Sequence, residues 1–172
     1  MNQETTPSPP GGVAPEHAQV LTVPPLIPAT AIGSGWLLNR FVMAWPLPGA
    51  GNATMATAYS GLALALGGLA VVIFSSSLWH FWKSRQNPEP HTPTNALYTR
   101  GIYRHSRNPI YLGFLIAQGA FGLQWNNGWI LALIPVTMVV LKRGIIFPEE
   151  AYLERLFGEQ YRNYKKKVRR WL

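Results

Sequence analysis

Acidic residues are scarce in this chain, seven in 172 and all of them glutamate, so the adjacent pair Glu149-Glu150 stands out. Carboxylates beside an apolar run can hold ribose hydroxyls or an ammonium group. Neighbouring residues of a helix point about 100° apart, so the two cannot share one task. A structural reading covers the same residues: in Phe147-Pro148-Glu149-Glu150 the proline takes a helix's first position and the carboxylates complement its dipole. A second cluster is LYTRGIYRHSRNPIYLG, Leu97 to Gly113, where polar, aromatic and proline residues interleave just ahead of an apolar stretch. It offers ring faces, a guanidinium and free backbone N–H groups to a small polar ligand. Structural roles exist here too: Asn108 caps the next helix, Pro109 opens it, Tyr111 joins an aromatic belt and the arginines set topology.

Other chemistries find no residues. With no cysteine there is no thiolate zinc site, iron–sulfur cluster or cysteine nucleophile. His17, His80, His91 and His105 fall at spacings that match no i, i+4 metal arrangement, so no metal is expected. Neither a GxGxxG nor a GxxxxGK[ST] string occurs, which leaves soluble dinucleotide and P-loop folds unsupported.

The elements that must carry these residues are apolar. Hydrophobic residues make up 48% of the chain and charged residues 13%, roughly half the charged share of a soluble domain. Residues 1–19, rich in Pro, Gly, Thr and Ser, read as a disordered tail, without the positive n-region of a secretory signal. Residues 20–172 read as a single membrane domain with helices at about 25–45, 55–82, 109–125 and 128–147. The strongest span is Tyr59 to Trp82, without a charge; at 1.5 Å per residue it reaches roughly 36 Å, enough to cross a hydrocarbon core of about 30 Å. Pro109–Trp125 and Gly128–Leu141 are each shorter than a full upright span of about 20 residues and read as two helices joined by the Asn126-Asn127-Gly128 turn. An amphipathic helix over about 148–168 follows, with Leu153, Leu156, Phe157, Tyr161, Tyr164 and Val168 at threes and fours, suited to lying on an anionic leaflet.

The formal net charge is +8. Every lysine and arginine except Arg40 lies at or beyond Lys83, in segments that flank apolar pairs and form no groove-sized patch. With no helix-turn-helix, RNP or zinc-finger pattern, a nucleic-acid partner is excluded. The positive-inside rule places the 83–108 loop and the C-terminal tail in the cytoplasm. An even number of crossings separates them, and counting back gives an all-α polytopic membrane protein of about four transmembrane helices with both termini inside.

The ordered motifs carry a resemblance. GIYRHSRNPIYLG (101–113), a hydrophobic hairpin, Pro148-Glu149-Glu150, LERLFG (153–158), Tyr161-Arg162-Asn163-Tyr164 and a terminal VRRWL resemble the isoprenylcysteine carboxyl methyltransferase family, whose relatives include phospholipid N-methyltransferases and many bacterial proteins. The resemblance implies S-adenosylmethionine-dependent methyl transfer to a lipophilic or membrane-associated acceptor, in a bacterial inner membrane. Carried over by position, it implies a cofactor pocket lined by Asn95, Ala96, Leu97, Tyr98, Tyr103, Asn108, Pro109, Ile110 and Tyr111, with Glu149 holding the cofactor and Glu150 beside it. Arg107 and Arg143 are the implied catalytic candidates. The eukaryotic enzymes have Arg-His-Pro where this chain has Arg107-Asn108-Pro109; asparagine cannot titrate near neutral pH, so an indispensable protonated histidine is excluded there. Their substrate-contacting arginine falls on Ile145, with Arg143 a possible substitute, a departure that speaks against a prenylcysteine carboxylate as the acceptor. Two other readings suit the same architecture: an NADPH-dependent membrane sterol or enone reductase, and a non-enzymatic scaffold whose basic tail recruits anionic lipid.

Overall fold

The computed structural model describes residues 23–83 and 97–172; the expected tail over 1–19 lies outside them. The described residues are helical, with no strand. Helix α1 (Leu26–Leu37) runs on through a π-helical turn (Leu38–Val42), and α2 (Ala53–Lys83) follows. After a 3₁₀ turn at Gly101–Arg104 come α3 (Pro109–Gln124), α4 (Gly128–Ala132), α5 (Ile134–Leu141), a second π turn (Lys142–Ile146), α6 (Phe147–Phe157) and α7 (Glu159–Lys167).

Among the described residues two helices are long and apolar enough to cross a membrane: Ala53–Trp79, of 27 residues, and the run Gly128–Phe157, of 30. The second is helical across the expected boundary at residue 147, where the π turn passes into α6. Pro148 lies in the first turn of α6 with no break ahead of it, because Ile146 and Phe147 are already in right-handed helical geometry. Pro148 cannot donate to the Gly144 carbonyl four residues back. The π turn accommodates this, with the Phe147 N–H reaching the Lys142 carbonyl five residues back. The break falls instead at Gly158, whose φ of +50° is one an L side chain rarely adopts, so the expected 148–168 amphipathic helix is two helices, α6 and α7.

The helices alternate in direction. Ile27, at the start of α1, packs with Tyr111, Leu141, Ile145 and Ile146, and Trp171 lies against the same cluster. At the other end, Gly35 lies so close to Ile130 that a Cβ would sit 2.7 Å from its Cγ1 and 2.9 Å from its backbone nitrogen. Beside the Ile27 cluster, Gly113 lets Phe74 of α2 approach closely, its ring tilted against that of Phe114 with centroids 5.1 Å apart. The outer faces are left apolar and bare: Leu64, Val71 and Val72 are 60–74% exposed, a surface suited to lipid and costly in water.

The end opposite Trp171 is closed by neutral groups. Asn127 caps α4 by accepting from the Trp129 and Ile130 N–H groups, and its own Nδ2 donates to the Gly35 carbonyl at 3.2 Å. Asn126 accepts from the Leu47 N–H at 2.7 Å, and the Trp129 indole donates to the Met43 carbonyl at 2.9 Å. The Trp45 and Trp129 rings meet edge to face at 5.1 Å.

Candidate functional site

The loop before α3, helix α6 and the C-terminal segment converge at the other end, which carries most of the cations. Tyr103 sits in the 3₁₀ turn and is buried. Its hydroxyl meets Ser77 of α2, its carbonyl accepts from the Tyr164 hydroxyl, and its ring lies 6.0 Å from that of Tyr98. Burial pushes the Tyr103 phenol well above its ordinary range, with Tyr164 and Glu149 adding to the shift, and raises Tyr164 to about 12. Both are therefore neutral hydrogen-bonding groups at physiological pH. Tyr111 projects from the first turn of α3, and its hydroxyl donates to Glu149 Oε1 at 2.7 Å. Among the described residues the second carboxylate oxygen of Glu149 has no hydrogen-bond partner.

Glu150 points elsewhere, as a 100° step along a helix requires. Its carboxylate lies 3.1 Å from the Arg107 guanidinium and accepts two hydrogen bonds from Arg170, at 2.9 and 2.7 Å. Arg107 also meets the Tyr161 hydroxyl; Tyr161 is buried and its phenol is pushed upward mainly by that burial. The two glutamates thus serve different neighbours: Glu149 a neutral phenol, Glu150 two cations.

The other sequence candidates fall as follows. Asn108 and Pro109 are buried where the loop enters α3. The Asn108 side chain makes no cap hydrogen bond to that helix; its Nδ2 donates to the Arg170 carbonyl at 3.2 Å. Leu97, partly buried, packs against the cluster of Tyr161, Tyr164 and Val168. Ile110 is partly exposed on α3. Arg143 lies on the exposed side of the second π turn, while Ile145 is fully buried beside Tyr111, so Arg143 does not join the cluster around Glu149. Asn95 and Ala96 lie outside the described residues. An open groove of about 780 Å³ runs along the 3₁₀ turn, between Ser75, Ser76 and Trp79 of α2 and Gly101, Ile102, Arg104 and His105.

Sequence reasoning missed two participants. Ser77 is fully buried in α2, and nothing in an uncharged apolar run singles it out. Arg170, in the run KKKVRRWL, reads from sequence as part of the basic tail. The signal that could have found it is Trp171-Leu172 after a run of cations, since apolar residues there need cover.

Comparison with known proteins adds an independent line. Residues 57–160 match the family described as phospholipid methyltransferase. The chain is 36% identical over 101 residues to the protein-S-isoprenylcysteine O-methyltransferase of Schizosaccharomyces pombe, covering 58% of this chain and 40% of that protein. It is 36% identical over 67 residues to methanethiol S-methyltransferase 1 of Bradyrhizobium diazoefficiens, covering 39% of this chain and 22% of that protein. An uncharacterized protein of Haemophilus influenzae is 40% identical over 63 residues, its whole length. The chain thus spans well under half of either named relative. No solved structure matches.

Proposed function

Because the chain belongs to the phospholipid methyltransferase family, we propose that it is an S-adenosylmethionine-dependent membrane methyltransferase acting on a lipophilic or membrane-associated acceptor. The observation that carries this is the Tyr111–Glu149 hydrogen bond at 2.7 Å, where the Leu97–Tyr111 strip meets α6. Neither the reductase nor the scaffold reading draws support from the matches.

The residues present suit such a donor. A carboxylate with one oxygen unengaged fits a ribose diol or an ammonium group, and the Tyr98 and Tyr103 rings fit an adenine or sulfonium. Glu149, Tyr103 and Tyr98 are the residues that would hold it, with Leu97, Asn108, Pro109 and Ile110 along the same strip. When bound, the donor supplies an electrophilic methyl group on a sulfonium. What the chain contributes is alignment and dryness, the two terms that dominate a transfer needing little acid–base help. Tyr111 fixes the direction of the Glu149 carboxylate, and the fully buried Leu141, Ile145 and Ile146 beside it exclude water. Arg143, exposed and near the bilayer boundary in this reading, is the group available to an anionic acceptor.

The alternating helices and the cations gathered at one end support four crossings with that end in the cytoplasm. The donor would then enter from water and the acceptor from lipid. In isothermal titration calorimetry of the detergent-purified chain, S-adenosylhomocysteine is expected to bind, and Glu149→Ala and Tyr103→Ala to weaken it. Absence of binding by the wild-type chain would overturn the assignment. Membranes given a radiolabelled methyl donor should yield one labelled lipophilic product.

A further inference from the structure

We infer that the C-terminal segment 168–172 is a clasp whose Arg170–Glu150 contact sets the rotation of α6 and so aims Glu149, making Glu150 and Arg170 positioning residues; this rests on the donor-site reading above. The segment leaves α7 in extended geometry at Val168 and returns to the loop before α3. There the Arg107 N–H donates to the Arg169 carbonyl at 3.0 Å, and Ser106 Oγ and Asn108 Nδ2 both donate to the Arg170 carbonyl at 3.2 Å. The Arg170 guanidinium forks onto both Glu150 oxygens and lies 5.0 Å from the centroid of the Phe147 ring. Trp171 then packs on the cluster that contains Tyr111, Ile145 and Ile146.

The residues on each side of this contact belong to the two walls of the candidate site. Asn108 precedes the helix that carries Tyr111, and Glu150 follows Glu149. A helix held at one side chain is held in rotation at the next, so tying Glu150 to the loop fixes the direction in which Glu149 leaves α6. A planar two-pronged guanidinium suits this work, because it constrains angle as well as distance, whereas lysine supplies a point charge. The side chains of Glu150 and Arg107 are 8% and 9% exposed, so the pair is buried and the loss of one member is felt by the rest.

The chain has no cysteine, so two introduced at exposed positions, Arg104→Cys and Leu156→Cys, can carry spin labels that report the placement of α6 against the loop. In the labelled full chain a narrow distance distribution is expected. Arg170→Ala, and a chain ending at Lys167, should broaden it and raise the dissociation constant for S-adenosylhomocysteine at least tenfold, measured well below the melting temperature. Arg170→Lys should fall between, and the peptide Val-Arg-Arg-Trp-Leu added to the shortened chain should narrow the distribution again. A merely structural segment would lower the melting temperature and leave distance and affinity unchanged; that result overturns the clasp. Should the shortened chain not fold, Arg170→Ala and Glu150→Gln decide by the same two readouts. Should the wild-type chain not bind S-adenosylhomocysteine, the donor assignment falls, and the distance distributions alone decide whether the segment sets α6.

Discussion

At the end of the bundle that holds Asn126 and Asn127, the helices are tied by amide side chains, indole rings and glycines in close contact; at the end that holds Tyr103 and Tyr164, they are tied by phenols, a carboxylate and two guanidinium groups. Both ends join residues far apart in sequence and both satisfy backbone groups that a membrane would otherwise leave exposed. They differ in tolerance. A neutral amide network loses about one hydrogen bond's worth of stability when a member is removed, whereas removing one partner of a buried ion pair strands a charge. The neutral end is built to be permanent. The charged end combines the same closing task with groups that can also engage a polar ligand, and a change at Glu149 should appear in binding.

Several substitutions would break or sharpen that contrast. The largest effect is expected at Glu149: replacement by alanine removes charge-assisted contacts worth roughly 1.5–3 kcal/mol, and should weaken S-adenosylhomocysteine binding by about 10–150-fold in calorimetry, with little change in melting temperature. Gly35→Ala should act in the opposite way. A Cβ there meets the Ile130 backbone at 2.9 Å, so the helices must part at a cost of about 1–3 kcal/mol, visible in thermal unfolding and absent from donor affinity below the melting temperature. Asn127→Ala removes a helix cap and the donor to the Gly35 carbonyl, for about 1–2 kcal/mol of stability, again without a binding signature. Arg143→Ala is the smallest: an exposed position should shift stability by less than about 0.5 kcal/mol and leave donor affinity unchanged, so any loss of methyl transfer would report contact with the acceptor. If Asn127→Ala and Glu149→Ala both changed binding and stability in equal measure, the division of labour between the ends would be wrong.

Much of this architecture was legible in residue order. The uncharged run from Tyr59 to Trp82 could be little else than a long apolar helix, and α2 spans it. Asn126-Asn127-Gly128 marked a turn, and the structure adds why two asparagines suit it: one caps α4 while the other receives Leu47. The 100° rule separated the tasks of Glu149 and Glu150 before any partner was known. Pro148 does stand in the first turn of α6, but the chain upstream is already helical, and a five-residue loop of hydrogen bonding leaves no trace in composition. The periodicity of Leu153, Leu156, Phe157, Tyr161 and Tyr164 suggested one continuous face. Gly158 divides it, so that Tyr161 and Tyr164 are buried while Leu156 stays 48% exposed. Tertiary partners were the hidden part: the destination of Arg170, and Ser77 beneath Tyr103, depend on contacts between segments that no local spacing encodes.

The wide turn at Lys142–Ile146 holds one residue more than an ordinary helical turn, so it gives the chain slack ahead of the two glutamates. Removing one residue from it would restore ordinary helical winding and leave the direction of everything downstream nearly unchanged, whereas a second deletion, with no slack left, would turn α6 by about 100° and bring Glu150 toward Tyr111. A single-residue change of length is therefore absorbed at this one place, and only a further one would exchange which carboxylate meets Tyr111, with the apolar surfaces upstream left untouched.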